Sequence, residues 1–178
     1  MTRRFAMMAR ASEKQPVYVV KNILFNGSAF DTGVLLAKEG SSGYTVFLKF
    51  DSSQSTDVHS NFLQGTGFYE YYYFFYANNA HAVWGRKGIQ PSREVRNLPS
   101  SDRPKWINTL VLSFNFDTRT EIVAFNNYIR TGNMNESNAS TETLKINPSN
   151  RTDGLIVEEM RIYDYPMTVS DVEKLINS

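Results

Sequence analysis

The residues best suited to chemistry in this sequence form a dense aromatic run between positions 68 and 76. Eight of these nine residues are Phe or Tyr, and Glu70 is the exception. Aromatic faces stack on sugar rings and Tyr hydroxyls add hydrogen bonds, so the run could form a glycan platform. The same residues could instead be a packed face beneath the 85–105 connection. The candidate ligand-binding residues are Tyr69, Tyr71, Tyr73 and Trp84.

Paired carboxylates for acid–base catalysis are not indicated. A retaining glycosidase needs two carboxyl groups about 5 Å apart. Glu158 and Glu159 are consecutive, so strand alternation is expected to point them to opposite faces, and Glu70 stands alone among aromatic residues. Neither His59 nor His81 has a recognisable acid partner in the sequence. We therefore expect no catalytic residues and no enzyme activity.

Metal and cofactor chemistry has little support in the sequence. The chain has no cysteine, which excludes disulfides, thiolate nucleophiles and cysteine-ligated metals. Asp51 and Asp57 bracket a Ser-rich loop with oxygen donors, but the loop lacks the Gly and Glu positions of an EF-hand. We expect no cofactor, and a calcium site is left open.

Charge and hydropathy narrow the classes of partner. Nineteen Lys and Arg residues against eighteen Asp and Glu give a net charge of +1, which is too balanced for a dedicated nucleic-acid binder. The basic stretch between Trp84 and Trp106 is interrupted by Glu94 and Asp102, as in a solvated loop or a protein contact. The longest apolar stretch, at 71–77, is far shorter than the ~20 residues of a membrane span. We expect neither nucleic acid nor membrane as a partner.

These candidate residues are carried by short strands separated by turn clusters, which is typical of a sandwich or barrel. A chain of 178 residues is the size of one domain. Residues 1–16 show no alternation, so we divide the chain into an N-terminal arm (1–16) and a domain (17–178). Asn26-Gly27 predicts a hairpin, and 85–105 is expected to be a surface connection. The predicted strands are 17–25, 44–50, 68–76, 81–84, 106–116, 121–125, 128–130 and 155–163.

Alternation also predicts which side chains are buried. In the strand 44–50 every second residue from Tyr44 is apolar, and in 106–116 the even-numbered residues from Leu110 are apolar. The odd-numbered residues from Val111 to Asn115 are expected on the solvent side of a half-buried strand. One face of 155–163 should likewise meet solvent.

Only the last residues predict a helix. Thr168 and Asp171 have capping-box spacing, and an apolar stripe follows at helical period. We expect this helix to cover an edge of the sheet. The stripe consists of Val169, Val172, Leu175 and Ile176.

Four segments together resemble the concanavalin A-like, laminin-G-type jelly rolls. Residues 153–172 resemble the closing strand and helix of that family, and 24–34 resembles its opening hairpin. Residues 44–50 are similar to the strand that follows this hairpin, and 106–117 resembles a further strand of the family. The resemblance implies an antiparallel jelly-roll β-sandwich with one short C-terminal helix. Such domains often bind calcium in rim loops, and some relatives of the fold are glycoside hydrolases.

Domains with these motifs resemble those found in bacteriophage structural proteins. We therefore predict a non-enzymatic virion structural or decoration protein that uses its module for surface or glycan attachment. The alternatives are a free carbohydrate-binding module of a bacterial surface or secreted protein and, more weakly, a glycoside hydrolase. The arm is expected to dock onto other virion subunits through basic and apolar side chains. These are Arg3, Arg4, Phe5, Met7, Met8 and Arg10.

Overall fold

The computed structural model describes eleven segments of the chain: 14–26, 30–36, 40–51, 59–61, 63–64, 69–75, 81–87, 94–95, 107–133, 143–146 and 153–178. Between residues 59 and 95 the description covers the backbone of the strands. The predictions for arm residues 1–13, for Asp57 and for the turn at 76–80 lie outside the described residues.

Thirteen strands and one helix make up the described part of the chain. The strands are β1 (Tyr18–Asn26), β2 (Phe30–Leu35), β3 (Gly43–Asp51), β4 (His59–Asn61), β5 (Leu63–Gln64), β6 (Tyr69–Phe75), β7 (His81–Lys87), β8 (Glu94–Val95), β9 (Ile107–Asn115), β10 (Thr120–Phe125), β11 (Tyr128–Asn133), β12 (Thr143–Ile146) and β13 (Asp153–Tyr163). The helix is α1 (Val169–Ile176).

The described strands pair in antiparallel fashion in three sheets. A six-stranded sheet has the order β1-β13-β3-β9-β10-β11, a three-stranded sheet has the order β2-β12-β5, and a four-stranded sheet has the order β4-β6-β7-β8. The first strand lies beside the last, with Tyr18 opposite Ile162. The N–H of Val17 donates to the carbonyl of Ile162 at 2.8 Å, so sheet pairing begins at the predicted domain boundary.

The main core lies on one side of the six-stranded sheet, which we call its core face. The even-numbered residues of β3 and β9 face it, which confirms the predicted alternation there. Leu144 and Ile146 of β12 complete the core from the three-stranded sheet. Its central side chains, all at most 3% exposed, are Tyr44, Val46, Leu48, Phe50, Leu110, Leu112, Phe114, Leu144, Ile146, Val157, Met160 and Ile162.

A second cluster lies on the opposite side of the six-stranded sheet, which we call its outer face. Helix α1 packs here with Val172 and Leu175 against Val111 and Tyr163, on the face of the sheet and not along an edge. The prediction that β9 and β13 each leave one face to solvent is therefore wrong at Val111, Ser113 and Tyr163, which are buried. The capping box of α1 is confirmed, since Asp171 N donates to Thr168 Oγ1 at 3.2 Å.

Three further features of the fold differ from the sequence prediction. The segment around Asn26-Gly27 does not close a hairpin, because β1 pairs with β13 whereas β2 pairs with β12. Strand β7 continues to Lys87 and β8 follows at Glu94, so 85–105 is not entirely a connection. Strand β12 was not predicted. The turn at Asn126-Asn127 is confirmed, with Asn126 at a φ of 51°.

Candidate functional site

The backbone places the predicted aromatic platform on the β6–β7 ladder of the four-stranded sheet. Trp84 is the register partner of Tyr72 and not of Tyr69, Tyr71 or Tyr73. Because side chains alternate along a strand, the register puts Trp84 in a different alternation set from the three predicted tyrosines. The partners of those tyrosines are Lys87, Gly85 and Val83, respectively. Their binding role stays a prediction, but the four residues do not form one group.

The positions that alternate with the predicted tyrosines, among them Tyr72 and Trp84, combine two kinds of chemistry. Tyr72 is opposite Trp84, and two residues further along the ladder Glu70 is opposite Arg86. The positions of the two aromatic residues therefore adjoin the positions of one acidic and one basic residue. Sequence reasoning missed Arg86 because it ended the strand at Trp84, although Arg86 continues the alternation.

A charged cluster occupies the outer face of the six-stranded sheet near strand β1. Arg161 donates to Glu159 through Nε (3.0 Å to Oε1) and Nη2 (2.9 Å to Oε2). Lys21 lies 3.1 Å from the same carboxylate, and the Arg161 guanidinium stands 5.0 Å from the centre of the Phe47 ring. The hydrogen bond from Arg161 is the main cause of the lowered pKa of Glu159, and that bond likewise raises the pKa of Arg161.

The predicted opposite orientation of Glu158 and Glu159 is wrong. The ladder between β13 and β3 shifts register between Val157 and Glu159, so Glu158 is the extra residue of a β-bulge. Glu158 forms an ion pair of 3.4 Å with Lys49, which is the register partner of Glu159. Both carboxylates therefore lie on the outer face, where each is neutralised by basic side chains.

A smaller polar patch lies on the three-stranded sheet. Asp31 accepts hydrogen bonds from the Thr143 hydroxyl at 2.6 Å and from the N–H of Gly33 at 2.9 Å. The bond from Thr143 is the first cause of the lowered pKa of Asp31, and Lys145, its register partner, adds to the effect. These exposed groups satisfy one another, which suits a structural role.

Two clefts flank helix α1 on the outer face. The neutral cleft, about 600 Å³, lies beside the start of the helix and is lined by residues such as Asn115, Thr120, Ile122, Thr131, Met167 and Val169. The charged cleft, about 540 Å³, lies on the other side and is lined by residues such as Lys14, Arg161, Tyr163, Tyr165, Asp171 and Lys174. Lys14 belongs to the predicted arm, and its ammonium group lies 4.6 Å from the centre of the Tyr165 ring.

Calcium binding by the loop after Asp51 and docking of the N-terminal arm both stay predictions. Within the segments that the structure describes, no group of three or more His, Asp or Glu residues is arranged to hold a metal ion. Asp51 is the last residue of β3, while Asp57 lies outside those segments. No helix among the described residues is long and apolar enough to cross a membrane.

Comparison with known proteins gives structural matches only. No protein-family model matches the sequence, and no curated protein sequence is significantly similar to it. The CBM40 domain of the Ruminococcus gnavus IT-sialidase, solved with α2,3-sialyllactose, matches at a TM-score of 0.63 and 13% identity over 90% of this chain and 98% of that one. The same domain has also been solved with α2,6-sialyllactose.

Two larger proteins match over part of their length. NanB sialidase from Streptococcus pneumoniae gives a TM-score of 0.62 at 15% identity, over 89% of this chain and 28% of that one. The leech intramolecular trans-sialidase gives 0.56 at 11% identity, over 91% of this chain and 28% of that one. At these identities the likeness shows the fold. The domain is a jelly-roll β-sandwich, as predicted, with a short C-terminal helix.

Proposed function

We propose that this domain is a carbohydrate-binding module whose glycan site is the β6–β7 ladder. The observation that carries the proposal is the register of that ladder, which sets Tyr72 opposite Trp84 beside the pair Glu70 and Arg86. Aromatic rings stack on the apolar faces of sugars, and charged residues at adjoining positions can orient a polar ring substituent. The jelly-roll fold shared with CBM40 domains supports the same class of function.

The ligand class that best fits the ladder is an acidic glycan. A guanidinium group recognises a carboxylate through two parallel hydrogen bonds, a geometry that lysine cannot supply. Arg86 therefore offers a partner for the carboxylate of a sugar acid such as sialic acid. The CBM40 neighbours were solved with sialyllactose, which contains such a group. By this proposal the protein acts outside a cell or on a bacterial surface.

The proposal is tested by calorimetric titration with 3′-sialyllactose and with lactose. We expect sialyllactose to bind and lactose, which lacks the carboxylate, to bind at least tenfold more weakly, a difference of about 1.4 kcal/mol. Trp84→Ala and Arg86→Ala should abolish the difference while leaving the melting temperature within a degree or two of wild type. Equal binding of both sugars, or none, would contradict the acidic-glycan site.

Tyr71→Ala and Tyr72→Ala form a matched pair within one strand, because they fall in opposite alternation sets. We expect Tyr72→Ala to weaken glycan binding and Tyr71→Ala to leave it unchanged. The reverse result would return the site to Tyr69, Tyr71 and Tyr73, the platform predicted from sequence.

We further propose that the module is not an enzyme. The proposal draws on the sequence, which offers Glu70 without a second carboxylate at catalytic spacing. No hydrolysis of sialosides or β-glucans is expected, and Glu70→Gln should leave that background unchanged. Turnover that Glu70→Gln removes would refute this proposal.

A virion structural or decoration role is the second candidate. Strand β1 is an edge of the six-stranded sheet, and an apolar row is exposed there: Val19 (48%) and Leu24 (62%) on β1, and Val17 (52%) directly before it. This apolar row follows directly on the arm, so a neighbouring subunit could cover both. None of the structural neighbours described above is a viral protein. Deleting residues 2–13 should abolish incorporation into such an assembly while leaving the melting temperature unchanged.

A further inference from the structure

The neutral cleft lies on a different sheet from the proposed glycan site. It opens on the outer face of the six-stranded sheet, over strands β9, β10 and β11, whereas the β6–β7 ladder belongs to the four-stranded sheet. The cleft exists because α1 has only eight residues and covers only part of this face. The helix does not extend over the sheet ahead of its first residue, Val169, and the apolar surface beside Ile122 there becomes the floor of the cleft.

One wall of the cleft is held rigidly by hydrogen bonds to the sheet. The Ser113 hydroxyl accepts a hydrogen bond from the N–H of Met167 at 2.8 Å, and the Thr45 hydroxyl donates to the carbonyl of Tyr165 at 2.9 Å. The capping box at Thr168 fixes the next residue along. This wall is therefore shaped before any ligand arrives, which lowers the entropic cost of binding.

The lining of the cleft combines an apolar floor with an uncharged polar rim. Ile122, Met167 and Val169 supply an apolar floor, while Thr131 and Asn115 are among the hydroxyl and amide groups at the rim. Hydroxyl and amide groups both donate and accept hydrogen bonds, as sugar hydroxyls require. Among the described residues that line the cleft, Glu121 is the single ionisable one, and it is 3% exposed.

The cleft on the other side of α1 gives a contrast. Lys14, Arg161, Lys174 and Asp171 all line it, so an uncharged ligand would have to displace water from several ions there. The neutral cleft imposes no such cost. Its volume of about 600 Å³ falls within the ordinary range for small-ligand sites.

We propose that the neutral cleft is a second saccharide site, which binds uncharged sugar rings independently of the β6–β7 ladder. None of the lining residues that the structure describes is aromatic, so they offer no stacking surface and we expect an affinity in the millimolar range. Such a site would add a weak second contact along an extended glycan, whose binding strengthens when both contacts form at once.

The test is an NMR titration of the ¹⁵N-labelled protein with lactose, in the Trp84→Ala background that removes the proposed acidic-glycan site. We expect saturable shifts at the amides of Ile122, Thr131 and Val169. Thr131→Lys places a long charged side chain at the rim and should weaken this binding at least about tenfold. Val169→Lys introduces the same charged side chain at the helix side of the cleft and should weaken lactose binding by a similar factor.

The matched control is Asn127→Lys, which adds the same charge at the exposed turn of the β10–β11 hairpin, away from the cleft. It should bind lactose like the parent protein. Absence of saturable shifts at the cleft amides, or equal weakening by Asn127→Lys and Thr131→Lys, would overturn the proposal. Both results are independent of whether sialyllactose binds to the ladder of the unmodified protein.

Discussion

The hydroxyl of Ser113 and the backbone N–H of Met167 are joined by a hydrogen bond of 2.8 Å between two parts of the chain 54 residues apart. Thr45 Oγ1 lies 3.0 Å from the same hydroxyl. These groups lie on the outer face of β9 and β3 and tie the segment before α1 to the centre of the sheet. Ser113, which the sequence predicted to face solvent, thus sets where the helix lies.

Ser113→Ala should therefore destabilise the fold, although it removes only one oxygen atom. The Met167 N–H would lose its partner in a half-buried position, which costs about 1–3 kcal/mol in the free energy of unfolding. Chemical denaturation measures the loss. Ser170→Ala, an exposed helix position, is the control and should change stability by less than about 0.5 kcal/mol. Equal effects of the two substitutions would show that the bond does not hold the segment.

Helix α1 should be an integral part of the fold. Val172 is fully buried and Leu175 is 8% exposed, so Val172→Asp and Leu175→Asp each place an unpaired charge against the outer face. We expect either change to cost several kcal/mol, with the larger effect at Val172. Thermal melts compare them with Glu173→Asp, which changes an exposed residue of the same helix. Wild-type melting of both variants would mean that the helix does not pack as described.

Local patterns in the sequence predicted more of this structure than long-range ones. The capping box at Thr168 and the turn at Asn126-Asn127 depend on neighbouring residues, and both are confirmed. The β1–β2 hairpin failed because turn residues do not determine which sheet the next strand joins. The faces of β9 were assigned correctly, but the sequence could not show that α1 would bury Val111 and Ser113 as well.

The candidate glycan site shows the same difference between local and long-range signals. Alternation predicted the strands of the aromatic ladder, but only the register, which is a long-range property, separated Trp84 from Tyr71. A single bulge at Glu158 likewise overturned the rule that consecutive residues face opposite ways. No local signal marks that bulge, since it depends on how β13 pairs with β3.

Gly43 should be irreplaceable, whereas Gly40 should tolerate substitution. Gly43 has a φ of +145°, and a Cβ atom there would collide with the carbonyl oxygen of Phe114 on β9. Gly43→Ala must therefore move backbone and should cost at least about 3 kcal/mol. Gly40 has a φ of +76° with open space around it, so Gly40→Ala should cost only about 1 kcal/mol. Comparable denaturation midpoints for the two variants would contradict the close approach of β3 and β9.

The ion cluster at Glu159 should make stability depend on pH in the acid range. Its pKa is lowered below the ordinary 4.5, chiefly by the hydrogen bond from Arg161. The folded state therefore binds this proton more weakly than the unfolded state, so the contribution to stability is complete above pH 4.5. It is lost as the pH falls through the lowered pKa of the folded protein.

Glu159→Gln removes the charge and should cost about 2 kcal/mol at neutral pH, because Arg161 and Lys21 lose their partner. The difference in unfolding free energy between wild type and variant should shrink steadily as the pH falls below 4.5. Denaturant titrations at a series of pH values measure this difference. Glu173→Gln, an exposed residue on α1, controls for the loss of one negative charge from the protein. A wild-type–variant difference that stays constant from neutral to acid pH would show that the carboxylate of Glu159 does not stabilise the outer face through its charge.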